Sequence, residues 1–410
     1  MNSSESIFDI AVIGGGIAGA GIAREAALRG LRVVVFEKNT FGSGTSSKSS
    51  KLIHGGIRYL ELAWNALKRS DVREAWKNFH FVFSSLAESA VLEKIAPDLI
   101  RPLELVIPIY KNEGRNVGTI YLGTLFYGLL SFFCGNQRLP KILWKKEDVL
   151  KLLPNLNSND LVGGVRLWDH ITDDKQLVEE TMHSAIRADA ETHEHAFVKT
   201  YAFQPEKNRY QIGVEENSQI QTYFAGKLID AGGPWVDKIR ARAGEKGEPL
   251  IMPVAGSHIM LKKFLDHSVI LNAEDKRVFF VINIGEYSRV GTTERMYEDP
   301  DTVKTLDQEV EYLLCALERY FPNTKFKADD ILSKDSGIRP LAKPQSEMNP
   351  HAIPREHEIR IGPTGVMHVL GVKLTDHRRA AKDVVDRIVR ELKFIRPQIK
   401  TKSRTHQIPL

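Results

Sequence analysis

The sequence is poor in cysteine: its 410 residues include only Cys134 and Cys315. Two isolated cysteines form neither a metal-ligand spacing nor a disulfide framework, and this usage is typical of a protein in a reducing cytosol. The histidines are scattered without ligand spacing, so we expect no metal site. The first residues, MNSSESIFD, lack a basic segment and an apolar core, so we expect no export signal and a cytoplasmic protein.

The chain also lacks a large excess of charge of either sign, because 57 basic residues are nearly balanced by 52 acidic ones. No basic run is interleaved with aromatic residues, so we expect no nucleic-acid partner. The net charge of +5 favours, mildly, an anionic substrate or a membrane surface. With 42% hydrophobic residues, the chain has a globular composition and enough length for two domains with their own cores.

Long apolar runs are limited to one stretch, residues 116–137, which contains no charged residue. It is short and interrupted by glycines, which argues against a transmembrane helix. A buried helical hairpin is the first interpretation. A face that touches a membrane without crossing it, on the inner side of the cytoplasmic membrane, is the alternative.

The stretch from Phe8 to Glu37 carries the strongest local signal, reading as strand, glycine turn, helix and strand. The apolar run Ile10–Ile13 favours a buried parallel strand. Gly14, Gly16 and Gly19 then give G-x-G-x-x-G, which permits a tight turn, close approach of backbone to a pyrophosphate, and close packing of helix on strand. The complete unit predicts dinucleotide binding. The alternative is a glycine-rich turn in another kind of βαβ unit.

The helix and strand after the glycines fit the same prediction. A helix over Ala18–Arg29 presents amino-terminal amides and a dipole that favour phosphate. Glu37, at the end of the second strand, can accept hydrogen bonds from ribose hydroxyls and would repel a 2′-phosphate. The fingerprint begins almost at the first residue, which is usual for an integral FAD, although a nicotinamide enzyme looks the same over these residues.

A polar stretch from Gly42 to Glu61, rich in glycine and small hydroxyl residues, follows the nucleotide unit. The simplest interpretation is a flexible loop. Loops of this length inside compact domains tend to be functional, and Lys51, His54 and Arg58 here can meet phosphates or an anionic substrate. Further on, a β-rich middle precedes a helix predicted over Asp376–Leu392. The polar last residues, 394–410, are expected to be loosely ordered.

Eight blocks can be read together: GGGIAGAGIA, TSSKSSKLIHGGIRYLE, GGPWVDKI, GSHIM, LNAEDKRVFFVI, GTTE, SGIRPL and GVKLTDHR. In this order they resemble the FAD-dependent glycerol-3-phosphate dehydrogenases of the D-amino-acid-oxidase-like flavoprotein group. SSKLIHGGIRYLE is the most specific of them. The resemblance implies an α/β fold with a Rossmann-like FAD-binding domain, built from discontinuous segments, and a β-rich substrate domain.

The resemblance also implies domain boundaries. The FAD-binding domain would comprise residues 7–100, 175–240 and 335–395, and the substrate-binding domain residues 101–174 and 241–334. A tail would occupy 396–410, with the family's helical C-terminal domain absent.

The activity implied is oxidation of sn-glycerol 3-phosphate at C2 to dihydroxyacetone phosphate. Hydride would pass to flavin N5, and the electrons then to a quinone or, as in oxidase relatives, to oxygen. A peripheral position on a membrane would suit a quinone acceptor, and a homodimer is left open.

A phosphate dianion calls for guanidinium groups, which bind it with bidentate geometry. Arg58, Arg339 and Arg355 are the candidates that the resemblance offers, with Tyr59 as a hydroxyl partner. The alternative for each arginine is an ion pair at the surface or between domains. Arg339 stands in a Gly-Ile-Arg-Pro turn, which favours a functional role.

His258 and Lys373 are the other catalytic candidates beside Arg339. His258 matches the GSHI block and can accept the C2 hydroxyl proton or orient the substrate, although a lone histidine on a strand is more often structural. Lys373, with the amides after Gly371, can place positive charge near flavin N1 and O2 and stabilise the reduced flavin. His54 is assigned to the flavin surroundings. The cofactor-binding residues implied are Gly14, Gly16, Ile17, Ala18, Gly19, Glu37, Lys38, Thr45, Ser46, Ser50, Lys51, Leu52, His54, Val198, Ala231, Gly232, Gly371, Lys373 and Leu374.

Four positions depart from the family pattern. Glu294 follows Gly-Thr-Thr where the family usually has Asp, and Asp230 replaces Asn before the Gly-Gly-Pro turn. Val372 and Asp376 alter the Gly-Gly-Lys-Leu-Thr-Thr block. Two alternatives therefore stay open. One is an oxidoreductase of the same group that acts on an amine or a 2-hydroxy acid and holds its carboxylate with Arg339 or Arg355. The other is a non-catalytic FAD-binding protein.

Overall fold

The computed structural model describes residues 7–111, 117–136, 138–297, 299–344, 356–392 and 398–410. Its helices are α1 (Ile17–Leu28), α2 (Arg58–Lys68), α3 (Val72–Ile95), α4 (Val117–Phe133), α5 (Lys146–Leu152), α6 (Asp174–Ile186), α7 (Val236–Arg242), α8 (Asp307–Tyr320) and α9 (His377–Leu392). Its strands are β1 (Ile7–Ile13), β2 (Val33–Phe36), β3 (Leu52–Ile53), β4 (Arg101–Tyr110), β5 (Lys141–Leu143), β6 (Leu161–Ile171), β7 (Glu191–His193), β8 (Phe197–Gln204), β9 (Arg209–Glu216), β10 (Gln219–Asp230), β11 (Ile251–Lys262), β12 (Ser268–Asn272), β13 (Val278–Ile284), β14 (Tyr287–Gly291), β15 (Arg295–Met296), β16 (Ile331–Ala342), β17 (Glu358–Ile361) and β18 (Met367–Leu370).

The first sheet has the order β17-β18-β10-β1-β2-β7, and β9 joins β8 to β10. Strands β18, β10, β1, β2 and β7 run parallel, so their carboxyl ends share one edge. β1 and β2 are almost wholly buried, since α1, α6 and α9 contribute apolar residues to the core on one face and the β8–β10 hairpins cover the other. The α/β prediction and the Rossmann-like unit are confirmed, and α1 begins one residue before its predicted start.

The second sheet has the order β15-β11-β14-β13-β12-β4-β6-β3, with β16 paired to β11 and β5 to β6. The longest contact is the antiparallel pair of β11 and β16, which runs from Ile251 opposite Ala342 to Leu261 opposite Ile331. β16 crosses the boundary expected at residue 335 and lies in this sheet along its whole length. The domain boundaries stay a prediction.

Within the apolar stretch, Val117–Phe133 forms one continuous helix, α4, so the hairpin interpretation was wrong. Its residues divide between two environments: Tyr127 and Leu130 are buried against α2 and α3, whereas Leu122 and Phe133 are 70% and 71% exposed. A helix that is apolar all round gives no sequence signal for which side is buried. Among the described residues, no helix is long and apolar enough to cross a bilayer.

Residues 398–410 are ordered against α1, so the expectation of a loose tail was wrong. Ile408 O accepts a hydrogen bond from Arg24 Nη2 at 2.6 Å, and the hydroxyls of Ser403 and Thr405 both donate to Glu25 at 2.8 Å. Because Arg24 and Glu25 are almost fully buried, their polar atoms need partners, and the tail supplies them.

Candidate active site and cofactor groove

A groove runs along the carboxyl edge of the first sheet and begins at the glycine turn after β1. Gly14 has φ +103°, and a Cβ there would lie 2.7 Å from Ala231 O. A Cβ on Gly19 would lie 1.9 Å from Gly14 O. Only glycine fits at either position, so the turn leaves backbone amides open towards a phosphate-bearing ligand.

Glu37 lies at the rim of this groove, where β2 ends. Its Oε2 accepts from Gly15 N at 2.7 Å, and its Oε1 accepts from Asn39 N at 2.9 Å, so the carboxylate is held in place. A carboxylate has lone pairs beyond those two bonds, which suits it to ribose hydroxyls. The predicted cofactor residues that line the groove are Gly14, Gly16, Ile17, Ala18, Glu37, Lys38, Thr45, Ser46, Val198, Ala231, Gly232 and Gly371.

The polar stretch after β2 forms the other wall. Ser46 Oγ accepts from Ile17 N at 3.0 Å, and Thr45 Oγ1 donates to Ile338 O at 2.7 Å. These two bonds connect the first turn of α1 with β16 of the second sheet. The stretch is shorter than predicted, because α2 already begins at Arg58.

Lys51 anchors the stretch where it enters β3. Its Nζ lies 2.5 Å from Oδ1 of Asp174, a carboxylate with no exposed surface, and Ser49 Oγ donates to Oδ2 of the same group at 2.7 Å. Its ammonium is therefore committed to an ion pair at the start of α6. Leu52, in β3, is buried. Sequence reasoning missed Asp174, which reads as one more polar residue in a turn.

The His54–Gly55 segment is held from two sides. Thr375 Oγ1 accepts from His54 N at 3.2 Å, and Tyr127 Oη accepts from Gly55 N at 2.9 Å while donating to Asp169 Oδ1 at 2.7 Å. Burial raises the pKa of Asp169 to about 7, and the bond from Tyr127 opposes this shift. The apolar helix α4 is thus hydrogen-bonded, through Tyr127, to the His54–Gly55 segment, which is predicted to lie near the flavin. We call this segment the predicted flavin loop. The apolar context of Tyr127 concealed this role in the sequence.

Two of the predicted site residues, Lys373 and Tyr59, lie close together beside the Phe81 ring. Lys373 Nζ lies 3.9 Å from the centroid of the Phe81 ring and 5.0 Å from that of Tyr59, a cation–π arrangement. Arg58 is exposed at the first position of α2. Gly371, at the end of β18, has φ +66° and donates from its N to Pro340 O, and Leu374 follows in the same turn.

His258 lies on β11, 3% exposed, with Nε2 2.9 Å from Ser50 Oγ. Its Nδ1 is 3.8 Å from Asp335 Oδ1, and Arg289 binds that carboxylate with two bonds of 2.6 and 2.8 Å. Burial, together with the positive charges of Arg289 and Arg339, holds the pKa of His258 well below its usual range. The imidazole is therefore neutral at physiological pH.

Arg339 lies on β16, which pairs with β11, the strand that carries His258. Its Nη2 donates to Thr292 Oγ1 at 2.9 Å, and its Nη1 lies 3.6 Å from Glu294 Oε1. The lack of a side chain at Gly256 provides the space, since a Cβ there would be 2.7 Å from Arg339 Nη2. The structure therefore brings Arg339 and His258 to one region; the predicted Arg355 lies outside the described residues.

The departures from the family pattern have compatible surroundings. Asp230 is buried, and its Oδ2 lies 3.0 Å from His368 Nδ1 while its Oδ1 accepts from Gly232 N at 3.0 Å. Asp376 is buried and accepts from Ser85 Oγ. Val372 lines the groove. Each added carboxylate thus has a donor.

The cofactor fits these residues. The glycine cradle leaves backbone exposed, Glu37 presents a carboxylate at the rim, and the groove lining extends to Val198 and the Gly371 turn. An extended dinucleotide such as FAD needs this combination along one sheet edge.

Comparison with known proteins gives a consistent result. A family model described as FAD dependent oxidoreductase matches residues 9–387. The aerobic glycerol-3-phosphate dehydrogenase of Staphylococcus epidermidis is 31% identical over 401 residues, covering 96% of this chain and 69% of that protein. The FAD complex of glycerol-3-phosphate dehydrogenase from Bacillus halodurans is similar with a TM-score of 0.77 at 26% identity, covering 99% of this chain and 68% of that one. Glycine oxidase from Geobacillus kaustophilus shares the fold, with a TM-score of 0.62 at 19% identity over 93% of this chain and 95% of that one.

Proposed function

Because the chain belongs to the family of FAD-dependent oxidoreductases, we propose that it oxidises sn-glycerol 3-phosphate to dihydroxyacetone phosphate. The observation that carries this proposal is the proximity of a neutral histidine, His258, to a half-buried guanidinium, Arg339, where β11 and β16 contact the polar stretch that precedes β3. That arrangement combines a proton acceptor with an anion-binding group, as oxidation of a phosphorylated alcohol requires.

Different residues of the chain would bind the phosphate, accept the proton and supply positive charge near the flavin. Arg339 binds the phosphate, with Arg58 and Arg355 as further cationic candidates. His258, being neutral, has one ring nitrogen without a proton, so it can accept the C2 hydroxyl proton or orient the substrate. Lys373 contributes positive charge beside Tyr59. Bound FAD supplies the two-electron acceptor for the hydride from C2.

An anaerobic titration tests the proposal. Adding sn-glycerol 3-phosphate should bleach the visible flavin band of the holoprotein, and Arg339→Ala should abolish the bleaching at concentrations that saturate the wild type. Arg319→Ala, on the exposed side of α8, is the matched control and should bleach normally. A wild-type band that persists would overturn the assignment of this substrate.

An amine or a 2-hydroxy acid is the second candidate substrate, because the Arg339 guanidinium suits a carboxylate as well as a phosphate. Bleaching by glycine or lactate, with none by the phosphorylated alcohol, would select it. A band that no small substrate bleaches would leave an FAD-binding protein without this half-reaction.

We also propose that the protein docks on an anionic membrane and passes its electrons to a quinone there. The docking face consists of exposed apolar residues on α2, α3 and α4. Its α3 and α4 parts are in contact, since the ring centroid of Trp76 lies 5.9 Å from that of Phe79, which in turn stacks on Phe126 at 6.2 Å between centroids. The members of this face are Trp64, Leu67, Val72, Trp76, Phe83, Leu122, Leu125, Phe126, Leu129, Phe132 and Phe133.

Charge around the docking face favours lipid over a second protein copy. Within residues 61–77, the exposed basic residues Lys68, Arg69, Arg73 and Lys77 outnumber three exposed carboxylates, those of Glu61, Asp71 and Glu74, the last of which pairs with Arg69 at 3.0 Å. Apolar side chains bordered by basic residues are the pattern by which helices bind the surface of anionic bilayers. A quinone dissolved in such a bilayer would then be close to the flavin loop, because Tyr127 of α4 bonds to Gly55.

Vesicle sedimentation tests the docking. The holoprotein should sediment with vesicles containing phosphatidylglycerol, less with neutral vesicles, and Leu122→Asp should reduce sedimentation. Leu332→Asp, at a 57% exposed leucine on β16, is the control. Recovery of all protein in the supernatant would refute the membrane proposal, and a dimer whose formation Leu122→Asp abolishes would identify the face as a homodimer contact instead.

A further inference from the structure

We propose that Asp301 is a cofactor-retention residue. It joins the segment between β15 and α8 to the nucleotide-binding part of the chain at the mouth of the FAD groove. Asp301 lies in the chain between β15 and α8. Its carboxylate accepts hydrogen bonds from three groups of the nucleotide-binding part. We call Asp301 and these three donors, Lys38, Trp235 and Lys238, the clasp.

The donors follow the two strands that flank β1: Lys38 comes after β2, and Trp235 and Lys238 come after β10. Lys38 follows the ribose-side Glu37 and reaches Asp301 Oδ1 at 3.0 Å. Trp235 donates from its indole Nε1 to the same oxygen at 2.6 Å, and Lys238 donates to Oδ2 at 2.6 Å. Lys38 and Trp235 are themselves residues of the groove lining.

The clasp has internal support. Lys38 Nζ also lies 3.9 Å from the centroid of the Trp235 ring, so one cation joins the indole face and the carboxylate. The other side of the indole end lies close to Gly44, where a Cβ would be 3.1 Å from the ring. Asp299 binds Lys238 at 2.5 Å and accepts from Asp301 N at 3.1 Å. The carboxylate is thus oriented by its own loop.

The electrostatics fit a closure that depends on charge. Partial burial alone would raise the pKa of Asp301, but hydrogen bonds from Lys238, Trp235 and Lys38 outweigh it and lower the pKa. The carboxylate therefore stays ionised at physiological pH. Since Asp301 is 46% exposed, salt can screen the clasp. A ligand that leaves the groove past Lys38 and Trp235 must move groups that Asp301 holds.

The test measures release of FAD from the holoprotein, as fluorescence of the freed flavin after dilution, without substrate. Asp301→Ala should release FAD roughly three- to tenfold faster than wild type, the range expected from losing charge-assisted bonds at a partly exposed site. High salt should accelerate release from the wild type and leave Asp301→Ala unchanged. The control is Asp266→Ala, which removes an 85% exposed carboxylate paired only with Lys263 in the part of the chain described.

Trp235→Phe provides the second measurement, since it removes the indole N–H and keeps an aromatic face for Lys38. It should also speed release, and the double variant with Asp301→Ala should release no faster than Asp301→Ala alone. Release at the wild-type rate from Asp301→Ala, or full additivity in the double variant, would overturn the proposal. Neither outcome depends on which substrate the enzyme oxidises.

Discussion

Removing Glu25 tests whether the ordered tail is part of the FAD-binding fold. Glu25 is 1% exposed and Arg29 2%, and the two form an ion pair one helical turn apart in α1. Ser403 and Thr405 donate to the second carboxylate oxygen. Glu25→Ala would leave one buried guanidinium with a single carboxylate, Asp386 at 2.6 Å, and two hydroxyls without their acceptor.

The magnitude follows from these contacts. Breaking a buried ion pair by removing one partner costs roughly 3–5 kcal/mol, and each lost bond to a charged acceptor roughly 1.5–3 kcal/mol. Asp386 compensates part of the first cost, and the half-buried Ser403 hydroxyl can recover water, whereas the Thr405 hydroxyl is buried and cannot. We therefore expect Glu25→Ala to lower the free energy of unfolding by about 3–5 kcal/mol.

Urea unfolding of the holoprotein, followed by circular dichroism and by flavin fluorescence, measures this change. Glu311→Ala, at an exposed position of α8, should change the free energy by less than about 0.5 kcal/mol. Limited proteolysis of Glu25→Ala should also cut within residues 398–410 sooner than in the wild type. A loss below about 1 kcal/mol would refute the reasoning, because it would mean that the tail does not bury this charge.

Three further outcomes are expected from the site. Gly14→Ala should abolish FAD retention, read from the flavin absorbance of the purified protein, because its Cβ would meet Ala231 O. Tyr127→Phe should lower the free energy of unfolding by roughly 1–3 kcal/mol in urea, since Gly55 N and Asp169 lose their shared partner. Burial raises the folded-state pKa of Asp169 to about 7, so the folded protein binds the extra proton between about pH 4 and 7, and wild-type stability falls as pH rises through that window. Asp169→Asn should remove this contribution to the pH dependence of the unfolding free energy; an unchanged slope would contradict the assignment.

The nucleotide unit could be predicted from the sequence because its signals are local. The glycines, the alanine-rich helix and the carboxylate at the end of β2 lie within thirty consecutive residues, Phe8–Glu37, and the structure has the same order of elements there. The meeting of His258 with Arg339 was suggested only by family blocks. What brings them together is the long β11–β16 pairing, a contact between segments far apart in the chain.

The ordered tail and the role of Tyr127 could not be predicted, because they depend on which polar groups become buried, and residue type does not show this. The composition of the tail is polar, which predicts a solvated segment, yet the tail forms hydrogen bonds with two buried residues of α1, Arg24 and Glu25. Tyr127 has the sequence appearance of one more apolar residue of α4, yet its hydroxyl accepts a hydrogen bond from Gly55 N. A buried polar partner is visible only once both segments are placed.

The strand order of the first sheet has a consequence for synthesis on the ribosome. β1 is followed in space by β10 and then β18, whose residues come from positions near 10, 225 and 369. The glycine turn is therefore translated long before Val369 and Gly371, which close the far end of the groove. A nascent chain interrupted before β18 carries the complete fingerprint without the wall that the cofactor needs, so FAD can be enclosed only after β18 has been translated.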